Sequence, residues 1–344
     1  MAQAQDELLT GLLKDVSRSF YLTLRVLPRE VRPPIGLAYL LARTTDTIAD
    51  TELLPASQRL EALQALRERI QGQRETPLEF GALARQQASR AEGVLLEQCE
   101  ASLARLRRLP PADGQLVRKV LDTITSGQEL DLRRFAAASA QSLVALRTDD
   151  ELEDYTYRVA GCVGEFWTRI CRAHLFPRAA LDDSFLLASG VRFGQGLQLV
   201  NILRDVAADL RRGRCYLPAD NLAGAGLRPE DLLQPATEPR LRPLYHAYLD
   251  RAQAHLQAGW AYTNTLPRRC VRVRLACAWP ILIGRDTLDL LRAGNPLDPA
   301  RPIKVSRPRV RQLMLRSVVL YPWRGAWKSM VPAVKAVASP AGLP

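Results

Sequence analysis

Apolar residues recur at helical spacing along almost the whole chain of 344 residues, and segments that alternate apolar with polar residues are scarce. This periodicity constrains the fold most, because a chain with so few strand patterns must build its core from packed helices. The spacing predicts helices at about 4–16, 33–51, 57–70, 84–107, 112–134, 149–174, 183–211, 241–265, 270–292 and 305–320. The predicted fold class is therefore all-α.

Proline and glycine mark the ends of several predicted helices. Pro33-Pro34 and Pro110-Pro111 stand at helix starts, where the missing proline N–H is tolerated. Gly213 follows the helix that ends near residue 211. Because no low-complexity linker divides the chain, we predict one helical domain over residues 1–320 around a central cavity, and a C-terminal tail over 321–344.

The composition is that of an ordinary globular protein, with 47% hydrophobic and 24% charged residues. No run of about 18 apolar residues occurs, and the N-terminus lacks the apolar core of a signal peptide. We therefore expect a cytoplasmic protein. The six cysteines form no CxxC pair and the three histidines lack zinc-site spacing, so reduced cysteines and no zinc site are expected.

The C-terminal part of the chain is strongly basic. Residues 301–344 contain nine Lys or Arg and no Asp or Glu, within a net charge of +12. Such a segment can attract an anionic membrane, nucleic acid or a polyanionic ligand, although an Arg-rich composition also occurs without any binding role. The stretch from Val318 to Lys328 adds Trp and Tyr, as interfacial segments do. We expect peripheral contact with the inner membrane.

Two acidic motifs lie far apart in the sequence. Asp46-Thr-Ile-Ala-Asp50 and Asp205-Val-Ala-Ala-Asp209 each place two carboxylates four residues apart, on one face of a helix. Like charges so placed repel, and a shared cation would explain the arrangement. Oxygen ligands of this kind suit Mg²⁺, with Mn²⁺ as a substitute, and Mg²⁺ also binds substrate phosphates. The neighbouring Arg43 and Arg204 could bind phosphate oxygens directly.

Each acidic motif belongs to a longer polar stripe. Gln198, Asn201, Asp205 and Asp209 follow one face of a helix, and Tyr39, Arg43, Asp46 and Asp50 follow a second helix in the same way. A solvated surface stripe is the alternative interpretation. Surfaces usually mix in Lys and Glu, however, whereas the first of these stripes holds only amides and aspartates. The matching form of the two motifs favours a shared functional site.

With these motifs, the chain resembles the squalene/phytoene synthase family, the head-to-head prenyl transferases. The resemblance extends from Ser17 to about Leu313 and depends on five motifs in order. They are Ser17–Phe20, Tyr39–Asp50, Val159–Gly164, Asn201–Asp209 and Gly213–Pro218. A single DxxxD motif would be weak evidence, but the ordered set is highly specific.

The resemblance implies an isoprenoid-synthase fold around a central apolar cavity, with two molecules of farnesyl diphosphate or geranylgeranyl diphosphate as substrates. It implies metal binding by Asp46, Asp50, Asn201, Asp205 and Asp209. It also implies diphosphate binding by Ser17, Arg18, Arg43 and Arg204. Tyr39, Arg43, Gln198 and Arg204 are further catalytic candidates. Phe20, Tyr39, Val159, Ala160, Val163 and Gly164 are expected either to line the cavity or to pack helices together.

The sequence does not decide which group accepts the proton in the first half-reaction. Squalene synthases commonly have tyrosine immediately before the Val-Ala-Gly motif, whereas this chain has Arg158. The role could pass to Tyr155, to Tyr157, or to the diphosphate itself.

The resemblance most favours a squalene synthase that joins two farnesyl diphosphates with Mg²⁺ and then reduces the product with NADPH. The basic segment Pro302–Arg309 resembles the region near the nicotinamide in squalene synthases, and a basic loop facing a membrane is the alternative interpretation. The predicted NADPH-binding residues are Phe20, Lys304, Arg307 and Arg309. The alternatives are phytoene or dehydrosqualene synthase, which need no reductant, and an enzyme that stops at presqualene diphosphate or hydroxysqualene. A basic helical binding protein is the alternative without catalysis. We expect no nucleic-acid partner, because the acidic motifs would repel phosphate, and a monomer or weak homo-oligomer.

Overall fold

The computed structural model describes residues 11–13, 16, 20–139 and 141–332, with the side chains of residues 20–22 excepted. Its helices are α1 (Phe20–Val26), α2 (Arg32–Asp50), α3 (Ala56–Gln71), α4 (Gly81–Gln86), α5 (Arg90–Glu97), α6 (Cys99–Leu106), α7 (Pro111–Arg134), α8 (Asp149–Thr156), α9 (Cys162–Leu175), α10 (Asp183–Arg211), α11 (Ala219–Gly224), α12 (Glu238–Thr265), α13 (Val271–Ala293), α14 (Arg307–Leu320) and α15 (Arg324–Lys328). The predicted all-α class is confirmed.

The predicted helix at 84–107 is three short helices, α4 to α6, and the one at 149–174 is interrupted. A π-helical turn, Tyr157–Gly161, separates α8 from α9. Such turns are rare and often occur at functional sites. The helices α1, α11 and α15 were not predicted, because five to seven residues carry too little periodicity. The helix expected at 4–16 lies largely outside the described residues.

Two clusters of buried apolar side chains form the core. The first lies mainly among α2, α3, α5 to α7 and α9, and the second lies mainly among α10, α12, α13 and α14. The long helix α10 packs against α12 and also against α9, so it belongs to the wall between the two clusters. Its N-cap is Asp182, whose side chain accepts a hydrogen bond from the Phe185 N–H at 3.0 Å.

Glycine allows α9 and α10 to cross at backbone contact. A Cβ on Gly164 would lie 1.9 Å from the carbonyl oxygen of Gly190, and a Cβ on Gly194 would lie 2.1 Å from that of Ala160. Gly164 and Ala160 therefore serve helix packing, the second of the two interpretations that the sequence allowed.

A parallel pair of two-residue strands joins the segments that follow α7 and α10. β1 (Val144–Ala145) pairs with β2 (Arg214–Cys215), and the Val144 N–H donates to the Gly213 carbonyl at 2.8 Å. Gly213 adopts a φ of 79°, and a Cβ there would lie 2.4 Å from the backbone of Ser139. The turn after α10 therefore needs glycine.

The C-terminal segment predicted as a tail is described as far as residue 332. Within it, Trp327 and Val331 are 2% and 3% exposed. The Trp327 ring lies 5.0 Å from that of Trp260 in α12. Over residues 321–332 the chain therefore packs onto the helical domain, and the division at residue 320 remains a prediction. Within the described part of the chain, every helix is too short or too polar to cross a bilayer.

Candidate active site

A cavity of about 340 Å³ opens between the two core clusters. Both acidic motifs face it: α2 contributes Asp46 and Asp50, and α10 contributes Asp205 and Asp209. The stripe predicted on α10 lines the cavity throughout, since Gln198 and Asn201 lie there too. The other faces of α10 carry buried Leu199, Val200 and Leu203. The apolar faces thus fix the rotation of the helix and direct the stripe into the cavity.

The remaining lining residues come from α2, α10 and several other elements, and they include both polar and apolar side chains. They are Ala49, Ile124, Gln128, Asp131, Leu132, Tyr155, Val159, Ile202, Arg212, Arg214 and Tyr216.

Burial, reinforced by neighbouring negative charge, raises the pKa values of acids on both walls. Burial, reinforced by the Asp50 charge, raises the pKa of Asp46 to about 6, although Arg43 and a hydrogen bond from Gln128 oppose the shift. Burial and the Asp205 charge raise the pKa of Asp209 to about 7. Both shifts disfavour the charged carboxylates, and a bound cation would reverse them.

A third acid, Asp131 of α7, was not predicted. Its Oδ2 accepts a hydrogen bond from the Tyr216 hydroxyl at 3.0 Å and lies 3.4 Å from Nη1 of Arg214. Burial raises the pKa of Asp131 to about 6, against the effect of Arg214. The Tyr216 ring stacks on that of Tyr155, with centroids 4.8 Å apart. These residues form one connected group at the side of the cavity.

The arginines at the cavity differ from those that were predicted. Arg43 donates to Oε1 of Glu92 at 2.6 Å, and its other amino group lies 3.9 Å from Asp46. Arg204 forms a two-point hydrogen bond with Asp205, at 2.9 and 2.5 Å. Neither lines the cavity, whereas Arg212 and Arg214 do. Arg214 lies within the Gly213–Pro218 motif, but the motif does not indicate that its side chain reaches the cavity.

Tyr155 is the one of the two candidate tyrosines that lines the cavity. The Tyr157 hydroxyl instead contacts Glu165 at 3.4 Å. The Arg158 side chain donates hydrogen bonds to Asp154 Oδ2 at 2.8 Å and to Ser126 Oγ at 3.0 Å, and it does not line the cavity. Burial and the Asp131 charge raise the pKa of Tyr155, so its hydroxyl stays protonated at neutral pH.

Tyr39 packs against the first core cluster, about two turns before Asp46. Burial raises its pKa to about 12. Of the side chains proposed as cavity walls, Val159 lines the cavity and Val163 is 36% exposed.

The residues predicted to bind NADPH do not line this cavity. Lys304 precedes α14, while Arg307 and Arg309 lie in its first turn. Arg309 donates from Nε to Oδ2 of Asp286 at 2.6 Å. Ser17 and Arg18 lie outside the described residues, as does the side chain of Phe20. Their roles remain predictions.

The donor set fits a hydrated divalent cation. Among the described residues, no three His, Cys, Asp or Glu side chains are close enough to hold an ion by themselves. Mg²⁺, however, commonly takes one or two carboxylates and completes its shell with water and substrate phosphate. The paired acids of each motif could supply these carboxylate ligands. In addition, two buried oxygens on cavity-lining residues have no hydrogen-bond partner in the structure, Oδ1 of Asp131 and Oε1 of Gln128.

A helical fold whose two aspartate pairs face one cavity is the arrangement that the resemblance in the sequence implied. Residues 13–309 match the family model described as squalene/phytoene synthase. The chain belongs to this family of head-to-head prenyl transferases and is an enzyme. The family generally depends on divalent metal, and its members bind farnesyl diphosphate.

Individual relatives span most of the chain. A presqualene diphosphate synthase from Rhodopseudomonas palustris is 28% identical over 307 residues, which are 88% of this chain and 93% of the relative. A 15-cis-phytoene synthase from Synechocystis is 27% identical over 287 residues, covering 81% and 74%. The solved complex of TcSQS with the ligand E5700 superposes with a TM-score of 0.74 at 21% identity, covering 94% of this chain and 88% of TcSQS. This last likeness concerns the fold.

Proposed function

We propose that the enzyme joins two molecules of farnesyl diphosphate into presqualene diphosphate, releasing one diphosphate. The observation that carries this proposal is the single cavity that collects Asp46 and Asp50 from one helix and Asn201, Asp205 and Asp209 from another. The relatives named as presqualene diphosphate synthases, which match over 93% of their own length, support the choice of product.

In the first step, the C1–O bond of one farnesyl diphosphate breaks and the diphosphate leaves with the electron pair. Mg²⁺ held by the two aspartate pairs would stabilise that charge as a Lewis acid. Arg212 and Arg214, which line the same cavity, would bind the departing phosphate oxygens by charge-assisted hydrogen bonds. Asp131 keeps the Arg214 guanidinium oriented through their 3.4 Å ion pair.

In the second step, the 2,3 double bond of the other farnesyl chain attacks the allylic cation. The cyclopropane ring closes as C1 of the first chain loses a proton. Tyr155 is the candidate for handling this proton, because its hydroxyl is neutral and lies on the cavity wall. A neutral phenol can accept a proton on oxygen while it passes its own to the released diphosphate.

A second candidate function is the complete squalene synthase reaction, in which NADPH reduces the presqualene diphosphate. The basic segment of Lys304, Arg307 and Arg309 is the observation that favours it, since three cations in six residues could pair with nucleotide phosphates. Phytoene and dehydrosqualene synthases share the first step and release the product without reductant.

Product analysis decides among these functions. Purified enzyme is incubated with farnesyl diphosphate or geranylgeranyl diphosphate, with Mg²⁺ or EDTA, and with or without NADPH. We expect presqualene diphosphate from farnesyl diphosphate and Mg²⁺ alone. Squalene formed only when NADPH is present would establish the second candidate. A C40 product from geranylgeranyl diphosphate, with farnesyl diphosphate unreacted, would overturn the proposal.

The metal ligands are tested in the same assay. Asp46→Asn and Asp205→Asn each remove one charge from a different motif while keeping the shape of the side chain. We expect each to lose product formation by more than about 100-fold while keeping its fold, since single groups that stabilise transition-state charge contribute on this scale. Asp150→Asn, on the exposed first turn of α8, is the matched control and should keep full activity.

A further inference from the structure

The C-terminal region carries a second pocket, distant in sequence from both aspartate motifs. Its volume is about 260 Å³, and it is lined by Asn264, Arg268, Arg274, Tyr321, Arg324, Trp327 and Lys328. Four of these seven side chains are cationic and, among the described residues that line it, none is acidic. A pocket of this composition suits an anion.

The pocket is structurally organised. Arg274 is 4% exposed and donates to Oδ1 of Asn264 at 2.9 Å, but its Nε has no hydrogen-bond partner in the structure. Its guanidinium lies 5.5 Å from the Tyr321 ring centroid and 5.6 Å from that of Trp327. Burial lowers the pKa of Arg274, with Arg268 contributing. A buried cation with an unsatisfied donor is stabilised by a bound anion.

An exposed apolar surface is continuous in sequence with this pocket. Leu315, Val318 and Val319 lie on one face of α14 and are 66%, 48% and 53% exposed. Trp323 is 60% exposed and lies between Tyr321 and Arg324, both of which line the pocket. At the α12–α13 turn, Val271 is 37% exposed beside Arg272. We call these residues together with the pocket the C-terminal surface.

We propose that the C-terminal surface docks the enzyme on an anionic phospholipid bilayer, with a lipid phosphate in the pocket and Trp323 and the exposed face of α14 among the headgroups. The proximity along the chain of pocket cations and exposed apolar side chains selects this occupant. A free phosphate ion would use the cations but leave the apolar residues in water, whereas a bilayer satisfies both. The docking is independent of which prenyl product the enzyme releases.

The test compares charge-matched variants in vesicle sedimentation. The pocket variant combines Arg268→Gln, Arg324→Gln and Lys328→Gln. Its control combines Arg85→Gln, Arg90→Gln and Arg108→Gln, which remove three exposed charges from the region of α4 to α6. The vesicles contain phosphatidylcholine, with or without phosphatidylglycerol. We expect the wild type to sediment with the anionic vesicles, the pocket variant to bind about 100-fold more weakly, and the control to match the wild type.

A second pair of variants tests the apolar surface. Leu315→Ser with Val318→Ser should weaken vesicle binding about tenfold, whereas Leu53→Ser with Leu233→Ser, which alters two exposed leucines elsewhere, should not. Substitutions are preferable to deleting residues 321–344, because deletion would remove the buried Trp327. Consumption of farnesyl diphosphate in detergent should stay at wild-type values in all variants. Thermal unfolding shows whether Arg268→Gln, which loses hydrogen bonds to the Tyr321 and Pro322 carbonyls, leaves the fold intact at the assay temperature.

Two results would overturn the proposal. One is equal loss of vesicle binding in the pocket variant and its charge-matched control, which would indicate attraction by net charge alone. The other is calorimetric binding of inorganic phosphate that the pocket variant abolishes, together with no sedimentation of the wild type with anionic vesicles. That combination would assign the pocket to a soluble anion.

Discussion

Gln128 of α7 donates a hydrogen bond from Nε2 to Oδ1 of Asp46, 82 positions away in α2, at 2.5 Å. This bond lowers the pKa of Asp46 against the larger effects of burial and of Asp50. It also fixes the rotamer of the first acid of the motif. Gln128 is therefore expected to keep Asp46 ionised and correctly oriented for metal binding.

Replacing this amide tests its role. In Gln128→Leu the bond is lost, so the pKa of Asp46 should rise further and the acid limb of the kcat/KM profile should move to higher pH. We expect activity at neutral pH to fall about tenfold, in line with the loss of one hydrogen bond to a charged group. Gln64→Leu, whose amide lies on the exposed face of α3 near Glu68, is the control. An unshifted acid limb would contradict the assignment.

The raised pKa values predict how the stability of the metal-free enzyme depends on pH. Asp46 and Asp209 have folded-state pKa values of about 6 and 7, above the unfolded values. Their contribution to stability is fully present below the unfolded pKa, near 4, and is lost as pH rises through 6 to 7. In EDTA, this pair should therefore favour a higher Tm at pH 5.5 than at pH 8.

Magnesium should reverse this trend, because it binds the ionised carboxylates. Added Mg²⁺ should raise the Tm at pH 8 and have little effect at pH 5.5, as calorimetry with and without EDTA would show. A stabilisation by Mg²⁺ of equal size at both pH values would argue against binding at these acids.

Asp209→Asn is expected to raise the stability of the metal-free enzyme while abolishing its activity. The change removes one of two repelling charges, so the metal-free variant should be about 1 kcal/mol more stable than the wild type at pH 8. Its activity should be lost, since the amide is a weaker metal ligand than the carboxylate. Denaturant unfolding in EDTA, alongside the product assay, measures both. Destabilisation at pH 8 would show that the Asp209 carboxylate is favourably paired in the folded enzyme.

The two tyrosines are expected to differ sharply. Tyr155→Phe removes a hydroxyl from the cavity wall and should lower kcat about 100-fold without a matching rise in KM. Tyr157→Phe removes a hydroxyl that contacts Glu165 at 3.4 Å and should stay within about twofold of the wild type. Steady-state kinetics with farnesyl diphosphate compare them directly. Equal effects of the two changes would remove Tyr155 from the proposed proton transfer.

The crossing of α9 and α10 should not tolerate a methyl group. In Gly164→Ala the new Cβ would meet the Gly190 carbonyl oxygen at 1.9 Å, so the helices must separate. We expect a loss of at least about 3 kcal/mol in the free energy of unfolding. Gly224→Ala, at the end of α11 with no atom within 4 Å of the new Cβ, is the control. A Gly164→Ala variant as stable as the wild type would mean that the two helices lie further apart.

The polar stripe on α10 could be predicted from the sequence because helical geometry relates its residues locally. Gln198, Asn201, Asp205 and Asp209 share a face whatever the rest of the chain does. Asp131 and Gln128 could not be predicted in this way. They belong to a third helix without a repeated motif, and only the packing of α7 against α2 brings them to the cavity.

The arginines show a different limit of sequence reasoning. Arg204 precedes Asp205 by one residue, and adjacent residues on a helix point about 100° apart. Nearness in sequence therefore does not place its guanidinium in the cavity, and it binds Asp205 from the side. Small residues in the Val159–Gly164 motif were similarly ambiguous, because both a cavity wall and a close helix crossing favour them.

The π-helical turn at Tyr157–Gly161 inserts one extra residue into an otherwise continuous helical rod. Upstream of it, Tyr155 faces the cavity, while downstream Gly164 faces the neighbouring backbone of α10. A regular rod would turn these two positions relative to each other, so only one could point correctly. Removing the extra residue would rotate Tyr155 by about 100° relative to Gly164, so the helix crossing could be kept only by turning this side chain away from the cavity.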